Sequence, residues 1–178
     1  LYAPIVQRQV SWNEGGAKRL AGGPVPVVET DVASAQMIKY ASNAYLAARI
    51  SFINEISGLC EKVGADVKEV VRGMGHDPRI GRAYLEPGLG FGGPCLGKDL
   101  RALINMGESN GHDPVLLRAV LERNERQVSE AVLKLERVTG RPLNKTIVAA
   151  LGLAFKAGTN DVRDSLALKV IDRLEQQG

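Results

Sequence analysis

Aromatic side chains are scarce in this chain: they make up 4% of its 178 residues, with one Trp, four Tyr and three Phe. A core short of large rings has to be built mainly from Ala, Val, Leu and Ile, a composition that favours closely packed helices. Cysteine is scarce too. Cys60 and Cys95 could form one disulfide at most, which is far from the dense framework of a small secreted domain. Cys60 falls within an apolar helical stretch and reads as a small core residue. No apolar run reaches membrane-spanning length and no signal-peptide pattern is visible, so a reducing, cytoplasmic setting is expected. Charge of one sign is also lacking. The net charge of +3 is spread along the chain, and no Lys/Arg cluster is interleaved with aromatics, which argues against nucleic acid as a partner. The small positive bias still suits an anionic small molecule. Metal-ligand spacing, internal repeats and low-complexity tracts are absent.

What is present is helical periodicity on both sides of a glycine-rich loop. Residues 11–29 are rich in Gly and Pro and read as a connector. Thr30 or Asp31 can cap a helix whose apolar positions Met37, Ala41, Tyr45, Ala48, Phe52, Ile56, Leu59 and Val63 step by three or four, with Gly64 as its stop. A short helix is expected from about Asp66 to Met74, another from about Lys98 to Ser109, and a long one after Asp113 and Pro114. The last has Val115, Ala119, Leu121, Val128, Val132, Leu135 and Val138 as its apolar set. Beyond Gly140 the pattern changes. The run TIVAAL over 146–151 reads as a buried parallel strand, and a helix from about Asp164 follows, as at the start of an α/β domain. Both termini read as cuts within a longer protein.

Residues 75–97 carry many glycines and no periodicity, and a stretch of that length between ordered helices points to function. Cys95 lies in it, just before a helix. The positive end of that helix and the nearby Lys98 both favour thiolate over thiol, while a free cysteine in a flexible loop is the ordinary alternative. Lys39 and Asn43 are four apart on one helix face, able to point a cation and an amide at one atom, or simply to form a solvated face with Gln36. Arg79 stands in the same loop as Cys95, where its fork could bind a phosphate or a sugar hydroxyl. His76 reads as an ordinary loop histidine. The glycines over 88–93 are not a dinucleotide-binding turn, because no strand precedes them and no suitably spaced acid follows.

Taken in order, SAQMIKYASN over 34–43, RISFINE over 49–55, GADV over 64–67, DPRIG over 77–81, GLGFGGPC over 88–95, KDL over 98–100, GLAFK over 152–156 and DVRDS over 161–165 closely resemble the UDP-glucose/GDP-mannose dehydrogenase family. The resemblance covers nearly the whole chain. It implies a mainly α fold: a helical dimerisation domain with a long central helix, like the C-terminal domain of 6-phosphogluconate dehydrogenase, followed by the start of a Rossmann-like α/β UDP-binding domain. The implied division is a connector at 1–29 from a missing NAD-binding domain, a central dimerisation and catalytic domain at 30–140, and the opening of the nucleotide-sugar-binding domain at 141–178.

The resemblance also implies an activity, namely oxidation of a sugar primary alcohol to a carboxylate in two NAD-dependent steps. Cys95 would trap the intermediate aldehyde as a thiohemiacetal that is oxidised to a thioester. Lys39 and Asn43 would stabilise charge on the reacting oxygen, and Asp99 would position water and orient Lys39. Substrate contacts would come from Arg79, reaching across from a second subunit, from Tyr84, Leu85, Gly88 and Gly90 in the loop, and from Lys156. Lys98 and Arg163 would contact the cofactor. The chain departs from the family pattern at Gln36, where glutamate is common, and at Pro94, Leu96 and Gly97 around the cysteine. Leu96 replaces an aromatic near the substrate, so the sugar is left open between UDP- and GDP-linked forms.

Two other readings stand beside this one: a two-electron hydroxyacid dehydrogenase, which can share a Lys-x-x-x-Asn helix, and a dimerisation or nucleotide-binding module without catalysis. On its own the 178-residue chain is expected to dimerise in light scattering and to leave NAD unreduced; NADH absorbance appearing with the purified chain would contradict this.

Overall fold

Local capping chemistry sets most of the helix boundaries. In the computed structural model, which describes residue 6, residues 25–144 and residues 146–177, α1 spans Val32–Val63. Its first turn is closed by Asp31, whose carboxylate accepts the Ser34 N–H at 2.8 Å and the Ser34 hydroxyl at 2.7 Å, satisfying donors that a helix start leaves free. Gly64, with φ +75°, stops it. Asp66 caps α2, Val67–Met74, by accepting the Lys68 N–H at 2.8 Å. Cys95 itself is the residue before α3, Leu96–Ser109. Pro114 precedes α4, Val115–Thr139, and Gly140 ends it in the left-handed conformation. Ser165 opens α5, Leu166–Glu175. Most of the expected connector over 1–29, and Lys145, lie outside the described residues.

The chain divides into two units, 1–37 and 38–178, and the boundary falls within α1. The core of the second unit forms where α1, α3 and α4 meet the glycine-rich loop. Ala44 and Ala47 of α1, Phe91 of the loop, Leu100 of α3 and Val120 of α4 are buried together. Small residues on α1 let the neighbouring backbone come close, as the Ser51 hydroxyl shows by donating to the Val120 carbonyl at 2.9 Å. α4 also packs against α3 and α5.

The mainly helical reading agrees with this architecture, but two details of the sequence pattern do not. The apolar stripe of α1 is not its core face. Tyr45, Phe52, Leu59 and Val63 are exposed, while Ala44, Ala47, Ser51, Ile53, Asn54 and Cys60 are buried. The same shift occurs in α4, where Val120 and Asn124 join Val128 and Val132 in the buried row, and Val115 and Val138 face outward. Both helices carry two apolar rows, and periodicity alone does not say which row the chain itself covers.

The second difference is the strand. No strand forms among the described residues; Ile147 is 100% and Leu151 95% exposed. A parallel strand is stabilised by ladder bonds to a neighbour and by helices on its faces, and 146–151 meets neither. The α/β opening is therefore an extended segment followed by α5.

These burials predict contrasting mutants of the 178-residue chain. Leu100→Ala, at 0% exposure, should cost about 2–5 kcal/mol, whereas Leu151→Ala should stay within about 0.5 kcal/mol. Urea unfolding of the two variants measures both.

Candidate active site

Asp99 is the one buried acid of the second unit's core, and it gathers the polar residues that the sequence singled out. Its position on α3, one turn after Cys95, is fixed by its own N–H donating to the Cys95 carbonyl at 2.9 Å. Lys39 and Asn43 reach it from α1. Lys39 Nζ lies 3.2 Å and Asn43 Nδ2 2.6 Å from Oδ2. The other oxygen, Oδ1, accepts Lys98 Nζ at 2.6 Å. The four-residue spacing of Lys39 and Asn43 thus converges on a single carboxylate oxygen.

The electrostatics follow from this geometry. The Lys98 ammonium first, then Lys39 and Asn43, hold the Asp99 carboxyl below the usual carboxylate range, against burial, which pushes it up. Lys98 in turn is held above the usual lysine value by Asp99 and, more weakly, by the charge on Cys95. The Asp99 side chain is 6% exposed, but those of Lys39 and Lys98 are 63% and 68% exposed. Both ammonium groups can therefore meet a ligand while the carboxylate stays inside.

Cys95 is exposed and unbridged, and Cys60 is buried and unbridged. The loop that delivers Cys95 is not pliant. Its backbone has no regular partner, and side-chain amides replace one. Asn54 Oδ1 accepts the Gly88 N–H at 2.8 Å, and Gln127 Nε2 donates to the Gly88 carbonyl at 2.6 Å. Asn124 binds Phe91 twice, accepting its N–H at 2.7 Å and donating to its carbonyl at 3.0 Å. Glycine is required where the loop makes its closest approaches. At Gly90 (φ +104°) a Cβ would lie 2.3 Å from Asn124 Oδ1, and at Gly93 (φ +79°) 2.5 Å from the Phe155 ring. The Gly93 N–H donates to the Asp164 carbonyl at 3.2 Å, so the segment before α5 closes over the loop from the other side.

The remaining expected residues are spread around this centre. Arg163 pairs with Asp161, whose carboxyl it holds down to about 2; the Cys95 charge acts on Arg163 as well as on Lys98. Lys156 sits over the Phe155 ring, 5.3 Å from its centre. Leu85 is buried, leaving only its backbone to face a ligand, and Tyr84 is half-exposed with φ +58°. Arg79 is bound by Asp77 at 2.6 Å with its side chain 88% exposed. It makes no contact with the Asp99 cluster of its own chain and is free to extend outward.

Several residues that shape the site carried little sequence signal. Arg49 reaches from α1 to the carbonyls of Ile80, Gly81 and Ala83 at 2.8, 2.9 and 2.9 Å, fixing the turn that bears Arg79 and Tyr84. Arg49 and Asn54 lay inside the RISFINE motif without an assigned role. Asn124 had one available signal: it interrupts the apolar row Val120, Val128 and Val132 at a helical spacing, where a buried polar residue needs a partner.

Comparison with known proteins gives a consistent picture. Residues 33–126 match the central domain of the UDP-glucose/GDP-mannose dehydrogenase family, and residues 149–178 match the UDP binding domain of the same family. The chain is 52% identical over 153 residues to the UDP-glucose 6-dehydrogenase TuaD of Bacillus subtilis, covering 86% of this chain and 33% of that protein. It is 45% identical over 152 residues to the UDP-glucose 6-dehydrogenase of Rickettsia bellii, covering 85% and 35%. A solved UDP-glucose dehydrogenase from Pyrobaculum islandicum superposes with a TM-score of 0.77 at 40% identity, over 89% of this chain and 36% of that one. The chain spans about a third of the length of these relatives.

The lowered Asp99 pKa sets a pH dependence. Its carboxylate contributes stability above the unfolded value of 3.8, and that contribution is lost as pH falls from there through the lower native value. Urea midpoints measured from pH 7 downward should fall less steeply below about pH 4 in Asp99→Asn than in the parent chain. Parallel curves would contradict the assignment.

Proposed function

The chain belongs to the UDP-glucose/GDP-mannose dehydrogenase family, and from that premise we propose that it is the catalytic portion of an NAD-dependent nucleotide-sugar 6-dehydrogenase of the UDP-glucose to UDP-glucuronate type. The observation that carries this reading is the exposed Cys95 at the start of α3, one turn from a buried carboxylate that holds Lys39 and Asn43. An enzyme that only converts an alcohol to a carbonyl needs no such nucleophile. Oxidation onward to an acid does.

In this proposal Cys95 Sγ adds to the aldehyde carbon left by the first oxidation, the thiol proton leaves, and a thiohemiacetal forms that cannot diffuse away. Lys39 and Asn43 donate to its oxygen, the group on which negative charge develops. Loss of a second electron pair from the same carbon gives a thioester on Cys95. Water adds to that thioester, the carbon–sulfur bond breaks, and carboxylate and free thiol result. Asp99 keeps Lys39 directed while water is placed. Bound nicotinamide would supply the acceptor for both electron pairs. The exposed cations Lys98 and Arg163, both within reach of the Cys95 charge, fit a diphosphate-bearing cofactor on that side.

The nucleotide-sugar, UDP- or GDP-linked, would lie along the backbone of 84–90, with Lys156 nearby. Arg79 would come from the other subunit of a homodimer, consistent with its outward freedom. The exposed apolar row of α1 and the neighbouring Leu116 and Ala119 of α4, which line a common groove with Phe52, suit the subunit contact. We assign residues 1–29 to the connector, 30–140 to the central domain and 141–178 to the nucleotide-binding domain, in a cytoplasmic protein; no described helix is long and apolar enough to cross a membrane.

In the full-length enzyme, Cys95→Ser should abolish carboxylate formation. Product analysis with NADH counted per sugar tests this: undiminished acid with two NADH per sugar would overturn the proposal, and one NADH per substrate in the parent enzyme would favour the two-electron reading.

A further inference from the structure

We infer that Asn124 is a positioning residue for Cys95, acting through the backbone of Phe91; the inference rests on the dehydrogenase reading above. Asn124 lies on α4 and is 7% exposed. Both ends of its amide are turned to one residue, with Oδ1 accepting the Phe91 N–H and Nδ2 donating to the Phe91 carbonyl. Only a neutral group with an acceptor and a donor on adjacent atoms can do both. Phe91 is simultaneously anchored by its ring in the core with Ala44, Ala47 and Leu100. Residue 91 is thus fixed at both backbone and side chain, and the nucleophile follows four positions later.

The segment between them has little freedom left. The Gly93 N–H is held by the Asp164 carbonyl, the Phe155 ring fills the space a side chain at Gly93 would need, and Pro94 restricts its own φ. Cys95 is then the first residue of the α3 capping turn. Of these restraints, the Asn124 amide is the one that α4 supplies, and it sets how far the loop stands from that helix. The contact with Gly90 leaves no room for closer approach. Losing the amide would let residues 90–93 move outward and displace Sγ relative to Lys39 and Asn43, which stand on α1 and bind Asp99 one turn further along α3.

Asn124→Asp gives the decisive signature. An aspartate keeps the acceptor for the Phe91 N–H but turns a second oxygen toward the Phe91 carbonyl. The cleft beside residue 124 is lined by Arg101 of α3, Glu125 of α4, Asp164, and Lys169, Asp172 and Arg173 of α5. Those opposite charges offset one another, so burial and that carbonyl raise the aspartate pKa, and when protonated it regains a donor. In full-length enzyme, Asn124→Asp should lower the rate of acid formation by about 100-fold at neutral pH, the cost of a misplacement near 1 Å, with KM for the nucleotide-sugar within about threefold. Expressed relative to the parent enzyme at each pH, so that the common thiolate dependence cancels, the rate should recover as pH falls through the raised pKa, and the relative rate of Cys95 alkylation by iodoacetamide should follow the same profile. Val132→Ala, two turns along α4 and buried, is the control for destabilisation alone and should keep the parent kcat and pH profile.

If Asn124→Asp matches Val132→Ala in kcat and alkylation, the positioning role is wrong. If it does not fold, Asn124→Gln, which keeps both amide groups on a longer arm, replaces it. Gln must then lower kcat at unchanged KM, and a parent-like kcat would overturn the inference. Should Cys95→Ser still make acid, it is the dehydrogenase reading that fails, so the two failures are distinguishable.

Discussion

Between residues 84 and 95 the backbone has neither helix nor sheet to satisfy its N–H and C=O groups, and the side chains of α1 and α4 supply what a neighbouring strand would. Asn54 and Gln127 hold Gly88, and Asn124 holds Phe91. Buried peptide groups left unpaired cost free energy comparable to a lost hydrogen bond each. These amides therefore determine where the loop can run, and the rest of the site depends on that path. Glycines at 90, 92 and 93 are its consequence: the chain comes so near to Asn124, Asp164 and Phe155 that a Cβ would collide.

The second organising element is charge. One buried carboxylate is shared by two ammonium groups that differ in origin. Lys98 is its neighbour in sequence on α3, whereas Lys39 comes from α1. The exposed ammonium groups of Lys39 and Lys98 offer donors to an anionic ligand or a developing oxyanion, while Asp99 stays inside.

Much of this was legible from residues alone where the cause is local. Asp31, Asp66 and Gly140 mark helix ends because a cap is a matter of one turn. Lys39 and Asn43 share a face because of a four-residue step. What was not legible depends on distant partners. The core face of α1 is set by where the loop and α4 lie, so the larger side chains at 45, 52 and 59 were mistaken for it. Asn124 is separated from Phe91 by 33 residues, and nothing local links them. The run over 146–151 has strand chemistry, but strand formation is a property of a pair, and the described chain offers no second member.

The contact of Phe155 with Gly93 has a consequence for how such chains can diverge. The ring occupies the space that any side chain at 93 would need, and the ring belongs to the part of the chain that matches the UDP binding domain while the glycine belongs to the part that matches the central one. The two positions are therefore sterically coupled across a domain border. Trimming the ring would open the space but leave the left-handed φ of +79° at Gly93, so the backbone still calls for glycine there even where the second domain gives way.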